Sequence, residues 1–241
     1  QSFGVSALPS VTRAFQTGDS QKLKRTVEAV LRITFLTALP MGVGLSVLAQ
    51  PTALLIYGAR PGTVIVGRVL TTLGAASVFA ALCGPLNSIL QAMGHVELPV
   101  VLTLIGLFVK AVLDYTLAAV PSVNVLGGAV GTLVCYALAS VLACIAIRRI
   151  AGVKIDFFST FKKPFLASVC CGMAALLTHK AWCAVLPESR FSALPAVFLG
   201  ALIYVVFLLI ARGICEEDIK ALPNGEKITK RLEKYLQKTG G

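Results

Sequence analysis

Lys110 and Asp114, in the apolar stretch LIGLFVKAVLDYTL, are the residues with most chemistry to offer. An ionisable group near the bilayer centre costs on the order of 2.5–3.5 kcal/mol to insert, and such groups usually face a bundle interior or a wet cavity. Spacing i, i+4 puts both on one helix face, where each lowers the other's cost. Two readings follow. In the first, a cation lines a central cavity and meets an anionic substrate or takes part in ion coupling. In the second, the pair only neutralises itself between packed helices.

Three arginines complete the candidate substrate or ion pathway. Arg32 and Arg68 fall at the start of apolar stretches, where long cationic side chains snorkel to the headgroups; a phosphate contact is the alternative for each. Arg13 follows a Pro-Ser-Val-Thr run, where it either touches substrate phosphates at the cytoplasmic mouth or anchors the chain. Enzyme constellations are missing from the sequence: His95 and His179 stand apart, and there is no HExxH, no CxxC and no carboxylate cluster. No catalytic residue, metal site or cofactor is therefore expected. Cysteines 83, 135, 144, 170, 171, 183 and 215 match no zinc or redox spacing and read as small apolar residues. GGAVG at 127–131 lacks the Lys-Ser/Thr ending of a phosphate loop and reads as a close helix-packing surface.

The elements that must position these groups are membrane spans. A bilayer core about 30 Å thick needs roughly 20 helical residues. Stretches of that length run from Ile33 to Ile56, Val69 to Gly94, Leu98 to Val120 (which carries Lys110 and Asp114), Val125 to Ile147, Pro164 to Leu186 and Phe191 to Ala211. Prolines 40, 51, 85 and 195 fall inside them and can kink a helix where neighbours or a cavity satisfy the freed carbonyl. Six spans return the chain to its starting side. Arg60, Arg68, Lys180 and Arg190 fall on the far side, while the bulk of the Lys and Arg residues fall on the near side, which predicts that both termini are cytoplasmic.

The composition agrees. Of 241 residues, 56% are hydrophobic and 14% charged, against roughly 45–50% and about 25% in an ordinary globular domain. Mean hydropathy is +0.84. Disorder, a nucleic-acid-binding domain, a collagen-like chain and a disulfide scaffold are excluded, and an all-α polytopic bundle remains. The formal charge of +11 is then a membrane-side charge. The expected division is residues 1–150 as membrane helices (the end of one span and four full spans), 151–215 as a basic loop and two further spans, and 216–241 as a basic amphipathic tail on the anionic inner leaflet. A first residue of Gln with no targeting segment suggests the C-terminal part of a longer protein.

ALPSVTRAFQTGD, a basic amphipathic link and LRITFLTALPMGVGLSVLAQPTALLIYG, followed by ILQAMGHVELPV, VKAVLDYTLAAVPSVNVLGGAVGTLVCY and the tail EEDIKALPNGEKI, resemble the C-terminal half of the multidrug/oligosaccharidyl-lipid/polysaccharide exporter superfamily. Within it, the chain is similar to the stage V sporulation protein B and polysaccharide-biosynthesis branch, related to the lipid II flippases. The resemblance implies two lobes that rock around a cavity and move an undecaprenyl-pyrophosphate-linked sugar between leaflets. This chain would supply the second lobe and two extra helices, with the first lobe upstream. It also implies pyrophosphate contacts by cavity arginines, with Arg13 matching the family region at the end of the eighth helix. Asp114 stands where the resemblance implies Asn, which leaves open whether Lys110 is a free cation or already neutralised. A flippase for a lipid-linked anionic oligosaccharide is thus expected, with membrane lipids as further partners and no nucleic acid. The alternatives are an ion-coupled multidrug exporter, with Asp114 as coupling carboxylate, and a membrane enzyme of envelope assembly.

Overall fold

Runs of Leu, Val, Ile and Ala in hydrocarbon find no water for their backbone groups, so each must close its hydrogen bonds internally. The computed structural model describes residues 2–120, 125–152, 157–185 and 198–204, and every regular element among them is helical. In chain order they are α1 (Ser2–Gln16), α2 (Ser20–Val47), α3 (Ala49–Tyr57), α4 (Thr63–Ala92), α5 (Leu98–Ala118), α6 (Val125–Ala151) and α7 (Phe157–Val185); residues 198–204 are also helical. Packing gives the spatial order α7–α2–α4–α6–α5, with α1 against α2 and α4, and α3 against α4. Among the described residues α2, α4, α5 and α6 are long and apolar enough to cross a membrane, and α7 contains a shorter apolar stretch, Pro164–His179. The sixth expected span lies mostly outside the described residues, and the amphipathic tail lies wholly outside them.

Helix boundaries differ from the expected spans for identifiable reasons. α2 begins at Ser20, well before Ile33, because Leu23, Val27, Val30, Leu31 and Thr34 recur at helical spacing within the basic link and are buried. Asp19 caps it, its carboxylate accepting from Lys22 N–H at 3.0 Å. α2 stops at Val47 rather than running on to Ile56. Pro51 has no N–H for the Val47 carbonyl and its ring crowds that oxygen, so the chain turns at Leu48 and restarts as α3. Pro40 does not stop α2. It frees the Leu36 carbonyl, and the Tyr204 hydroxyl donates to that oxygen at 2.5 Å. α7 begins at Phe157, ahead of the expected Pro164, and Phe161 meets Phe35 of α2 edge-on with ring centroids 5.2 Å apart.

The densest core lies where the end of α1 meets α2, α4 and α6: Val11 and Leu31 are 1% exposed, Leu90 and Ile147 0%. α5 is the opposite case. It packs chiefly on α6, and only Pro99 and Gly106 are buried along its length.

Candidate functional site

Gly127, Gly131, Cys135 and Ala139 repeat every fourth residue on α6 and are all buried. Small side chains let backbones approach in a membrane, where lipid supplies no hydrophobic drive between helices. α5 lies along this stripe. A Cβ on Gly127 would sit 2.8 Å from Leu117 Cβ, one on Gly106 would sit 2.9 Å from the Cys135 carbonyl oxygen, and one on Gly131 would run into Asp114 Oδ1. The GGAVG segment thus acts as a helix-packing surface.

On α5, Thr103, Lys110 and Asp114 share the face turned toward that stripe. Lys110 lies about 18 Å along the helix, near mid-depth. Its Nζ donates to Thr132 Oγ1 at 2.9 Å, and the Thr132 hydroxyl donates onward to the Gly128 carbonyl at 2.7 Å. Asp114 Oδ2 is 4.0 Å from Nζ, at the outer reach of an ion pair, and the Lys110 and Asp114 side chains are 32% and 36% exposed. Asp114 Oδ1 is buried against Gly131 without a hydrogen-bond partner among the described residues. An ammonium has three donors; one goes to Thr132, and the carboxylate at 4.0 Å engages another only loosely. Lys110 also lines a cavity of about 180 Å³, whose wall includes Cys83, Asn87, Thr103, Thr132 and Tyr136. The pair is therefore in contact but not sealed, and the chemistry it offers is a partly neutralised cation beside hydroxyl and amide groups.

The sequence reading missed Thr132, Thr103 and Asn87. Two of them carried a usable signal: Thr103 lies seven residues before Lys110 on the same face, and Thr132 directly follows the GGAVG stripe. The three arginines lie elsewhere. Arg13 is exposed in the last turn of α1, Arg32 is half-buried on α2, and Arg68 is exposed near the start of α4; none lines the Lys110 cavity. Among the described residues no group of His, Cys, Asp and Glu could hold a metal ion, and cysteines 83, 135, 144, 170 and 171 are free thiols.

The family described as "Lipid II flippase MurJ" matches residues 2–205. The chain belongs to this family. It is 24% identical over 228 residues to stage V sporulation protein B of Bacillus subtilis (strain 168), covering 92% of this chain and 42% of that protein. It is 25% identical over 151 residues to lipid II flippase MurJ of the same organism, covering 62% of this chain and 27% of that protein. Its fold matches a lipid II flippase MurJ structure in an inward closed conformation with a TM-score of 0.59 at 18% identity, over 87% of this chain and 43% of that one. The chain spans less than half the length of these relatives. MurJ-family membership and the apolar helices together make it a multi-pass membrane protein of a flippase family, with the all-helical architecture and the sporulation-protein kinship expected from its sequence.

Proposed function

We propose that these helices form the second lobe of a transporter that flips an undecaprenyl-pyrophosphate-linked sugar across the cytoplasmic membrane by alternating access, with an upstream lobe completing the passage. A bare pyrophosphate cannot cross hydrocarbon, so its path needs fixed positive charge in a wet channel. The observation that carries the reading is Lys110: a mid-depth ammonium, a third exposed, lining a cavity in whose largely apolar wall Asn87, Thr103, Thr132 and Tyr136 supply amide and hydroxyl groups. Asp114 at 4.0 Å tempers its charge in the empty state and releases it when phosphate oxygens arrive. Arg13 and Arg68, near helix ends, and Arg32, where the apolar stretch of α2 begins, meet the headgroup as it enters or leaves. The lipid tail stays in an apolar groove of about 690 Å³ between α2, α7 and 198–204, lined by Pro40, Met41, Leu45, Ala175 and Tyr204. Both termini face the cytoplasm, residues 1–150 form the core of the lobe, 151–215 add a basic loop and two helices, and the basic tail lies on the inner leaflet.

The test is translocation of a lipid-linked precursor by the intact protein in proteoliposomes. Lys110→Ala should slow it at least about tenfold, a loss of roughly 1.4 kcal/mol or more of binding discrimination, while Lys110→Arg keeps most of the rate. A second reading, ion-coupled export, is favoured by the unbonded, buried Asp114 Oδ1. It gains if Lys110→Ala flips normally while Asp114→Asn abolishes cation-gradient-driven drug efflux, and the flippase reading then fails.

A further inference from the structure

We propose that a second groove, between α2, α4, α6 and α7, seats a phospholipid with an anionic headgroup, taken from the leaflet on the side where α6 ends. The groove has a volume of about 660 Å³, and Leu39, Val43, Val78, Val141, Ile145 and Phe165 form much of its apolar wall. Val141, Ile145 and Phe165 are 52%, 43% and 43% exposed, so the slot is open on its outer side among the described residues. Its α2 wall runs from Phe35 to Val47, about 18 Å of helix. The hydrocarbon of one leaflet is about 15 Å deep, half of the bilayer core. The slot therefore spans one leaflet.

Charge sits at one end of it. Arg148, in the last turn of α6, is the charged residue of the lining among the described residues; α6 ends at Ala151, α7 begins at Phe157, and Phe161 of α7 packs edge-on against Phe35, which places Arg148 toward the Phe35 end. Its side chain is exposed and makes no ion pair among the described residues, and Arg149 follows it. A guanidinium presents a fork that matches two phosphate oxygens. Basic pockets between membrane helices select anionic headgroups for this reason. An apolar slot as long as one leaflet, with an arginine at its mouth, has the form of an acyl chain ending in a phosphate. The groove on the other side of the α2–α7 seam has similar volume but no charged residue in its lining among the described residues. The phospholipid seat does not depend on which substrate is transported.

The intact protein, delipidated in detergent, is titrated with dioleoyl phosphatidylglycerol and with dioleoyl phosphatidylcholine, and bound lipid is counted by native mass spectrometry. Phosphatidylglycerol should bind at least about tenfold tighter, a difference of about 1.4 kcal/mol. Arg148→Gln should bring the ratio close to one, Arg148→Lys should keep most of it, and Val141→Trp, which fills the slot from an exposed position, should lower occupancy by both lipids. Unchanged selectivity in Arg148→Gln, or unchanged occupancy in Val141→Trp, overturns the proposal. So does one-for-one displacement of phosphatidylglycerol by undecaprenyl pyrophosphate, which would make the slot a path for the transported lipid. Should Arg148→Gln fail to fold, Val141→Trp and Arg148→Lys still decide.

Discussion

Between α2 and α4, Gly42 and Gly74 bring backbone against backbone: a Cβ on Gly74 would lie 2.7 Å from Ser46 N and 3.0 Å from the Gly42 carbonyl oxygen. Between α5 and α6, Gly127 and Gly131 make room instead for side chains, a leucine at one and the Asp114 carboxylate at the other. In the first seam the polar atoms are used up locally, as where Ser46 Oγ donates to the Thr71 carbonyl at 2.9 Å. In the second, a lysine and an aspartate remain a third exposed beside a cavity. Small residues at helix spacing therefore serve two ends. Where both partners are small the seam closes and holds the bundle; where only one is small, the gap can house charge. The helix that carries the charge is correspondingly the least buried of the spans.

Substitution of Gly74 tests the closed seam most severely. Gly74→Leu should destabilise by about 3 kcal/mol or more, since backbone atoms on α2 cannot move aside as a side-chain tip can. Thermal unfolding in detergent measures it, and a variant that melts like the parent would show that the seam is not backbone-limited.

A smaller effect is expected where the same side of the bundle depends on one hydroxyl. Tyr204→Phe leaves the part-buried Leu36 carbonyl without its donor, at a cost of about 0.5–1.5 kcal/mol for the lost hydrogen bond. Pro40→Ala supplies a backbone N–H to that carbonyl, so in the Pro40→Ala background the cost of Tyr204→Phe should largely vanish. An equal cost in both backgrounds would separate the proline from the tyrosine.

Several of these features were legible in the sequence and several were not. The Lys110–Asp114 contact follows from four-residue spacing, and the packing role of GGAVG from its missing lysine and its place in an apolar run. The starts of α2 and α7 are hidden because the Lys, Arg and Glu residues of 20–32 and the lysines at 162 and 163 break the long apolar runs that mark a span, although such residues are good helix formers. Tyr204 meeting Leu36 joins residues 168 apart, and the Thr132 bond to Lys110 joins residues 22 apart on different helices. Neither is fixed by local periodicity. Both depend on how the helices pack, which apolar windows do not encode.

Gly131→Ala probes the open seam. Its Cβ collides with a carboxylate oxygen, which can swing away, rather than with backbone. The gain in helix propensity, up to about 1 kcal/mol, offsets part of the strain. Net stability should thus stay within about 1 kcal/mol of the parent, while acylation of Lys110 by an amine-reactive reagent, read by peptide mass spectrometry, should rise severalfold as its carboxylate neighbour leaves. Gly128→Ala is the control, since a Cβ there meets nothing within 4 Å. Equal labelling in the two variants would show that Asp114 does not restrain the lysine.

Thr132→Val should have the smallest effect on stability. It removes the hydroxyl that accepts from Lys110 at 2.9 Å and keeps the side-chain shape. Hydrogen bonds between membrane helices average about 0.6 kcal/mol, because the separated helices also find partners. The informative quantity is the coupling with Asp114→Asn. If the ammonium is shared between the hydroxyl and the carboxylate, losing one strengthens its hold on the other, and the double variant should lose more stability than the two single changes added together. Strict additivity would mean that the lysine attends to only one of them. The open seam would then contain a simple hydrogen bond rather than a cation poised between partners.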